Sequence, residues 1–503
     1  MRHGLALLQS ALPPLAQPAI IAVALCYFAA VAAIGAWATR RTRTASDFFV
    51  AGQGIGFVTL AIAAMAATLS GFAFIGGPGL IYNVGLGAMF IVLPASVTNS
   101  LTASLLAKRI RLLGEVRALI TVPDAIGARY RSPLAQGLSG TAILIAVIGY
   151  MATNILALGI VLDAIFAIGL GWGIWIGMGI TLAYSVAGGI LAGVYTDVFQ
   201  GLLMALASVL VFAFALDVGG GLSAMARTIS AADPAFLAPW GKLTPLAAIS
   251  FFFVFGLGAV GQPHVIHKFY MLKDPRGLKW YPLLMTAALV LTLLLYFVVG
   301  VVMKSLVVGG ALPPLARADD ATPVLLLRFT PVLLAALVFS GVAAAIMSTV
   351  NSFMNIGAAA LTHDLPVALG RRVANELRWG RIATVGISVA AALLAQISGT
   401  LVAFLGIFGW GLFASTLVPA LAIGLNWEGA TRAGAIASIS AGLAITLVFE
   451  TLAYFRVYSF PAGVTVSGLS LVASILIFFG VSFATRRGAL AALDPDVRLI
   501  MEV

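Results

Sequence analysis

Long apolar stretches are the feature that most limits how this chain can fold. A helix needs roughly 20 apolar residues to cross the core of a bilayer, and by that measure the sequence holds about 13 such stretches. Only 9% of the 503 residues are charged, against about 25% in ordinary soluble domains. The sequence therefore predicts an all-α integral membrane protein that forms a single membrane domain over residues 1–503. The predicted spans lie near residues 19–38, 55–83, 86–107, 134–165, 170–187, 189–217, 245–268, 280–308, 324–360, 380–398, 400–424, 433–453 and 462–484.

The lysines and arginines predict how the chain is oriented in the membrane. If the N-terminus is outside, all but seven of the 28 basic residues lie in cytoplasmic loops, as the positive-inside rule requires. The C-terminus is then cytoplasmic. The net charge of +11 is explained by this topology and by contact with anionic lipid, so we expect the lipid bilayer as a partner and no nucleic acid. The seven exceptions are Arg2, Arg227, Lys242, Lys304, Arg317, Arg328 and Arg456.

Two of the predicted spans are interrupted by glycine, serine and proline. These interruptions lie in residues 64–79 and 255–264. Glycine costs a helix about 1 kcal/mol and proline about 3 kcal/mol, and unpaired backbone in a membrane is tolerated only around a polar cavity. Paired interruptions in corresponding positions of two halves indicate the binding site of a secondary transporter.

The interrupted spans are the second and the seventh, so they lie five spans apart. An odd offset places the second unit in the opposite orientation, which predicts two inverted five-helix repeats. The repeats would cover residues 55–217 and 245–424. One extra helix, 19–38, would precede them, and two more, within 433–484, would follow.

The ninth predicted span carries a polar face. Ala345, Ser348, Thr349 and Ser352 recur at helical spacing. Hydroxyls together with the freed carbonyls of an interrupted helix can bind sodium, a hard cation that prefers oxygen ligands. The alternative interpretation is that these hydroxyls satisfy hydrogen bonds between packed membrane helices.

Asp197, near the cytoplasmic end of the sixth span, is a second candidate, because an intramembrane carboxylate is usually functional. The alternative is a residue that caps or pairs at a helix end. His264, His267 and Lys268 follow the second interruption, at the predicted cytoplasmic surface. No third ligand accompanies the two histidines, so we expect no metal other than sodium. Enzyme motifs are lacking from the sequence, so we expect neither an enzyme nor a cofactor.

Five stretches of the sequence carry a resemblance to a known family. The chain resembles the sodium:solute symporter family, which includes bacterial proline, pantothenate, sialic acid and sugar transporters. The resemblance implies a leucine-transporter-type fold with 13 spans and Na⁺ as the coupling ion. The stretches are Asp47 to Gly52, Ser70 to Gly79, Gly189 to Asp197 with Gln200, Gly261 to His264, and Ala345 to Thr349 followed by Leu361 to Asp364.

The resemblance also implies a ligand set for the ion. Sodium would be bound by the backbone carbonyls of Ala66, Leu69 and Ala345 and by the hydroxyls of Ser348 and Thr349. Asp197 matches the family's acid on the cytoplasmic exit route of the ion. Some members hold a second sodium with this acid and hydroxyls one turn further along. Those positions are Asn351 and Ser352 here, and the asparagine replaces a hydroxyl.

The motifs look most like those of pantothenate permeases, with proline and monocarboxylate carriers next. Proline carriers have an acid where this chain has Thr68, and aromatic residues where it has Phe255 and Ala259. Because no lysine or arginine is predicted at mid-membrane, half-helix amides and hydroxyls would meet a solute carboxylate. The predicted solute cavity consists of Thr68, Ser70, Gly71, Phe72, Phe74, Tyr150, Phe255, Ala259, Gln262 and Trp410.

The sequence thus predicts a sodium-coupled symporter in the bacterial inner membrane that imports a small organic solute by alternating access. Pantothenate or a similar monocarboxylate is favoured, and proline, another amino acid or a sugar is the alternative. No obligate protein partner is expected. Proton coupling through Asp197 is a second alternative. A third is a solute-sensing membrane protein, which the lack of a C-terminal signalling module disfavours.

Overall fold

The computed structural model describes residues 16–42, 44–51, 54–398, 402–458, 460–461, 463–487 and 493–502. This part of the chain is predominantly helical, and its only β-type pairing is a single bridge between Ile55 and Leu272. The predicted all-α class is therefore confirmed. Residues 1–15, 52, 400–401 and 462 lie outside the described residues, and with them the N-terminus, the end of the first family motif and the predicted starts of two spans.

Twelve helices form the N-terminal side of the fold. They are α1 (Ala16–Thr39), α2 (Ala45–Val50), α3 (Phe57–Thr68), α4 (Gly77–Val84), α5 (Met89–Thr102), α6 (Lys108–Arg117), α7 (Val122–Tyr130), α8 (Pro133–Phe166), α9 (Leu170–Val218), α10 (Leu222–Ala232), α11 (Pro245–Gly258) and α12 (Pro263–Phe269).

Nine more helices complete the described chain. They are α13 (Tyr281–Val308), α14 (Ala321–Phe329), α15 (Val332–Ala359), α16 (Leu365–Ala368), α17 (Glu376–Ile397), α18 (Val402–Leu417), α19 (Arg432–Tyr454), α20 (Val466–Thr485) and α21 (Pro495–Met501). Short π-helical or 3₁₀ segments join several of them, including Phe72–Gly76, Ala259–Gly261 and Ala318–Asp320.

Within the described residues, 11 helical stretches are long and apolar enough to cross a membrane, and two shorter apolar helices, Phe57–Thr68 and Leu170–Ala183, accompany them. The 46-residue stretch Phe72–Arg117 contains parts of two predicted spans. Each of the 13 predicted spans overlaps helix in the described part of the chain, and the number of membrane crossings stays a prediction, as do the repeat boundaries.

Gly189 divides the long helix α9 at the boundary predicted between the fifth and sixth spans. Its backbone has φ 57° and ψ −149°, a conformation that only glycine adopts without strain. A Cβ at this position would also lie 2.5 Å from the ring of Phe48. Close packing against α2 therefore fixes the bend in α9.

Helix α15 lies at the centre of the molecule. Its residues from Val338 to Ala359 are buried, and it contacts α1, α8, α9 and α17. The outer helices expose large apolar side chains such as Trp172, at 69%, and Leu333, at 75%. An apolar exterior of this kind suits lipid as the surrounding solvent, whereas the buried polar side chains of α15 face other helices.

Both predicted interruptions are present. Helix α3 ends at Thr68, and Leu69 has extended backbone with φ −85° and ψ 104°. Helix α11 ends at Gly258, and a 3₁₀ turn leads to Gln262, which is also extended, with φ −77° and ψ 109°. The chain therefore leaves backbone groups free at two points in the interior.

Candidate ion and solute site

The side chain of Thr349 joins α15 to the end of α3. Its Oγ1 lies 3.1 Å from the carbonyl oxygen of Ala67 and 3.3 Å from that of Leu69. It also lies 3.1 Å from the carbonyl oxygen of Ala345, one turn earlier in α15. A hydroxyl has one proton to donate, so it satisfies only one of these three oxygens. The arrangement concentrates oxygen atoms in a fully buried position.

The interruption is what frees the α3 carbonyls. In a continuous helix the amide of Gly71 would donate to Ala67, but here it donates to Oδ1 of Asn154 at 2.8 Å. The amide of Phe72 donates to Oγ of Ser70 at 3.2 Å. The last carbonyls of α3 therefore point toward α15 without their usual intrahelical donors.

Of the predicted sodium ligands, Leu69, Ala345 and Thr349 are brought together directly. Ser348 is adjacent and buried. The carbonyl seen beside Thr349 belongs to Ala67, which sequence reasoning missed, because only the cap geometry decides which carbonyls of a helix end turn inward. Ala66 is buried at the same helix end, and its role as a ligand stays a prediction.

A second group of buried oxygens lies beside the first. The Ser348 hydroxyl is close to the Asp197 carboxylate, yet neither Ser348 Oγ nor Asp197 Oδ1 has a partner with normal hydrogen-bond geometry in the described part of the chain. Oγ of Ser352, one turn further along α15, is likewise unpartnered there. Unpaired buried oxygens are costly, which makes this group a candidate for contact with a cation.

Asp197 already has one cationic partner. The Lys268 ammonium donates to Asp197 Oδ2 at 2.9 Å, and the side chains are 1% and 0% exposed, respectively. The prediction that Lys268 lies at the cytoplasmic surface is therefore wrong. Every residue of α12 is buried, because the chain after the interruption packs against α3 and α15 and carries Lys268 inward.

Asn351, one of the two positions considered for a second sodium, is held in a polar cluster. Its Oδ1 accepts a hydrogen bond from Ser185 and lies 3.4 Å from Nδ2 of Asn355. Its Nδ2 points toward Gly193, where an added Cβ would lie 1.9 Å away. The amide thus turns its N–H groups toward Gly193 of α9, one turn before Asp197, and its oxygen toward Ser185.

A cavity of about 50 Å³ lies on the other side of the first interruption. Six of the ten predicted cavity residues line it. Aromatic rings form one wall: the centroids of Phe72 and Phe255 are 5.8 Å apart, and those of Phe255 and Trp410 are 5.2 Å apart. The six residues are Thr68, Ser70, Phe72, Tyr150, Phe255 and Trp410, and sequence reasoning missed Leu69, Ala73, Ile91, Val92, Ala95, Asn99, Leu289 and Leu293.

The other four predicted cavity residues, Gly71, Phe74, Ala259 and Gln262, are not among those lining this cavity. The carbonyl of Phe74 accepts from Thr322, and that of Ala259 accepts from Thr102. Nε2 of Gln262 donates to the carbonyl of Gly258, the last residue of α11. Backbone contacts between helices therefore occupy these positions.

Few polar groups remain for a solute in the cavity. The amides of Gly71 and Phe72 have protein acceptors, as described above, and Thr68 donates to the Ala64 carbonyl. Within the described chain, Nε1 of Trp410 is a donor without an acceptor, and Oδ1 of Asn99 is an acceptor without a donor.

A hydroxyl pair adds to these two groups, since Ser70 Oγ lies 3.2 Å from the hydroxyl of Tyr150. No lysine or arginine is among the described residues that line the cavity. The available chemistry is therefore neutral, with indole N–H, hydroxyl and amide groups set against aromatic rings.

The histidines after the second interruption have individual contacts. The ring of His264 packs edge-on against Phe353, with centroids 4.7 Å apart. Nε2 of His267 lies 3.0 Å from the carbonyl oxygen of Ile120. Neither contact is that of a metal pair.

A separate polar cluster joins α7 to the segment after α15. Nε2 of His363 lies 3.0 Å from Asp124 Oδ2, and its Nδ1 lies 3.3 Å from Glu376. Asp364 accepts from Thr121. Ligand atoms of Asp124, His363 and Asp364 are all within 4.8 Å of one another, but hydrogen bonds within the protein already engage them. The cluster is explained as a link between helices.

The chain combines many apolar helices with two interrupted helices that lie beside a buried polar helix. These features define a multi-pass membrane protein of the secondary-transporter class. Residues 48–442 match the sodium:solute symporter family, and the chain belongs to this family. The osmoregulated proline transporter OpuE of Bacillus subtilis is 29% identical over 93% of this chain and 95% of its own. The sodium/pantothenate symporter of Escherichia coli is 27% identical over 87% and 91%.

Solved structures agree on the fold. A Na⁺-coupled sialic acid symporter in a substrate-bound outward-open state matches with a TM-score of 0.75 at 18% identity, over 93% of this chain and 98% of its own. Mhp1, a nucleobase-cation-symport-1 family transporter in a closed conformation, matches with a TM-score of 0.56 at 13% identity, over 92% and 99%. The fold is thus of the predicted leucine-transporter type. The family and these relatives are transporters rather than enzymes.

Proposed function

We propose that this chain is a sodium-coupled symporter that imports a small organic carboxylate across a bacterial plasma membrane. The observation that supports the proposal most is the position of Thr349, whose hydroxyl meets freed carbonyls of α3. Sodium would be bound there by Ala66 or Ala67, Leu69, Ala345, Ser348 and Thr349. Because the ligands belong to two helices, the ion would hold the end of α3 against α15.

This bridging role gives the coupling between ion and solute. The residues that end α3 also line the cavity, since Thr68, Leu69 and Ser70 border it. Sodium bound on one side of the interruption would fix the shape of the cavity on the other side. Release of the ion into a cytoplasm of low sodium concentration would let α3 leave α15 and open the inner side.

Replacement of Thr349 by alanine tests the ion site. It should weaken sodium binding about 10- to 100-fold, the effect of losing one contact to a charged group. Thr349→Ser should retain most of the affinity. Ser340→Ala is the matched control, because Ser340 lies on the same helix and donates only to Ala336 within it. Binding of ²²Na⁺ to the purified proteins gives the measurement, and wild-type affinity in Thr349→Ala would contradict the assignment.

For the solute, we propose a monocarboxylate that also carries an N–H group. A carboxylate could accept hydrogen bonds from Trp410 Nε1 and the Ser70 and Tyr150 hydroxyls, while the N–H donates to Asn99 Oδ1. Pantothenate and proline both have these groups, and relatives named for each match this chain at similar identity. The chemistry of the cavity favours neither one over the other.

Uptake into proteoliposomes separates these candidates. Labelled pantothenate and labelled proline are each offered with an inward sodium gradient, with choline in place of sodium, and with an inward proton gradient alone. Sodium-driven accumulation of one solute supports the proposal and identifies the solute. Accumulation driven by protons alone would favour proton coupling. Binding of a solute without accumulation under any gradient would favour a sensor.

A further inference from the structure

The ion pair between Asp197 and Lys268 connects α9 to α12 in the interior of the protein. Both charges are removed from water, with side chains 0% and 1% exposed. An isolated buried charge is strongly unfavourable, so each group requires the other in this position. The Lys268 ammonium is therefore a permanent positive charge at a buried site.

Oxygen atoms that suit a cation lie on Asp197 itself and on α15. Asp197 Oδ1, Ser348 Oγ and Ser352 Oγ are buried and have no hydrogen-bond partner among the described residues. The two serines are four residues apart on α15, so their hydroxyls lie on one face. One carboxylate and two hydroxyls form a donor set that a hard cation would accept, and the ammonium of Lys268 already lies against the carboxylate.

A sodium ion and the lysine ammonium would repel each other strongly here. At a separation of about 5 Å and an effective dielectric constant of about 20, the repulsion between two unit charges would weaken the affinity for the second cation by about 100-fold or more. Asn351 adds to this effect, because its Nδ2 points toward Gly193, one turn before Asp197, while its Oδ1 is engaged by Ser185. Both features oppose a mobile ion at this position.

We propose that the ammonium of Lys268 serves as a tethered second cation at Asp197, so that this chain binds one sodium ion per transport cycle and not two. The proposal rests on the proposed function, since it assumes that sodium occupies the site at Thr349. It assigns Lys268 as the residue that sets the ion stoichiometry. A neutral side chain at position 268 would leave the Asp197 carboxylate and the Ser352 hydroxyl free to take a sodium ion from solution, with the Ser348 hydroxyl shared between the two ions.

The test is the number of ²²Na⁺ ions bound per chain at saturation, measured on purified full-length protein in choline buffer. Wild type should bind one ion. Lys268→Met, which keeps the length of the side chain without its charge, should bind two. Asp197→Asn combined with Lys268→Met should return to one, because the second site then lacks its carboxylate. Lys273→Met is the matched control, since Lys273 is an exposed lysine five residues further along, and it should bind one.

The outcomes separate this proposal from the proposed function. If wild type binds no sodium, or if Thr349→Ala does not alter its binding, the proposed function fails. If wild type binds two ions, or if folded Lys268→Met still binds one, only the role of Lys268 is refuted. The wild-type count needs no substitution, so the proposal stays testable even if Lys268→Met does not fold.

Discussion

Replacing Asp319 by asparagine is expected to remove one step from the pH dependence of stability. Asp319 lies in the 3₁₀ turn before α14, outside the predicted spans, and is 3% exposed. Its Oδ2 accepts from the amide of Val402, the first residue of α18, at 2.9 Å. Burial raises the pKa of Asp319 from 3.8 to about 6, and the Val402 amide opposes this shift only in part.

The sign and size of the effect follow from that pKa. Between pH 4 and pH 6 the folded protein binds more protons at Asp319 than the unfolded chain does, so stability falls as the pH rises through this window. A shift of about two pKa units corresponds to about 3 kcal/mol. At about 2.1 cal/mol/K per residue, unfolding of 503 residues would convert this into about 3 °C.

The assay is thermal unfolding in detergent, followed by tryptophan fluorescence from pH 4 to pH 8. Asp319→Asn should match wild type near pH 4 and be more stable by about 3 °C above pH 6.5. Asp274→Asn, at an exposed aspartate, is the control and should not change the step. Asp233 does not contribute to the same step. Hydrogen bonds from Lys242 and Lys304 lower its pKa, so the stability that Asp233 contributes is lost only at a pH below the window of Asp319. If the wild-type and Asp319→Asn curves run parallel from pH 4 to pH 8, the reasoning is wrong.

Three other substitutions have defined outcomes. Asp197→Asn should lower the free energy of unfolding by about 3–5 kcal/mol, because it leaves the Lys268 ammonium buried and unpaired. The double variant Asp197→Asn with Lys268→Met should recover most of this loss in the same thermal assay. A loss below about 1 kcal/mol in Asp197→Asn alone would be inconsistent with a buried pair. Gly77→Ala should cost about 1–3 kcal/mol through overpacking, since the new Cβ would lie 1.8 Å from the ring of Tyr296; an unchanged melting temperature would contradict this packing. Trp410→Phe should raise the KM for uptake of proline or pantothenate about 10-fold through loss of one hydrogen bond, and an unchanged KM would remove the indole N–H from solute binding.

Local chemistry explains what the sequence predicted well. Apolar stretches locate helices because the bilayer requires about 20 apolar residues for each crossing. The interruptions at Leu69 and Gln262 were predictable because glycine and proline act on their own segment of backbone. The buried polar face of α15 was visible in its spacing for the same reason. Each of these features depends on neighbours within a turn or two of helix.

Tertiary packing explains what the sequence did not reveal. Lys268 looked like a surface lysine because polar residues at the end of an apolar stretch normally reach the aqueous face. Only the contacts of α12 with α3 and α15 show that this helix turns inward. The apolar cavity residues from α5 and α13, such as Ile91 and Leu293, were missed because nothing in their own segments distinguishes them from lipid-facing residues.

Helix α15 joins the two interrupted helices through neighbouring side chains. Thr349 contacts the end of α3, while Ser348 adjoins Asp197 and, through it, Lys268 of α12. A sodium ion at Thr349 would hold α3, and the tethered ammonium would hold α12. The first link depends on the sodium concentration and the second does not, because Lys268 cannot dissociate from the chain. Loss of sodium should therefore release α3 first, and we expect the inner opening to begin at the interruption that borders the cavity.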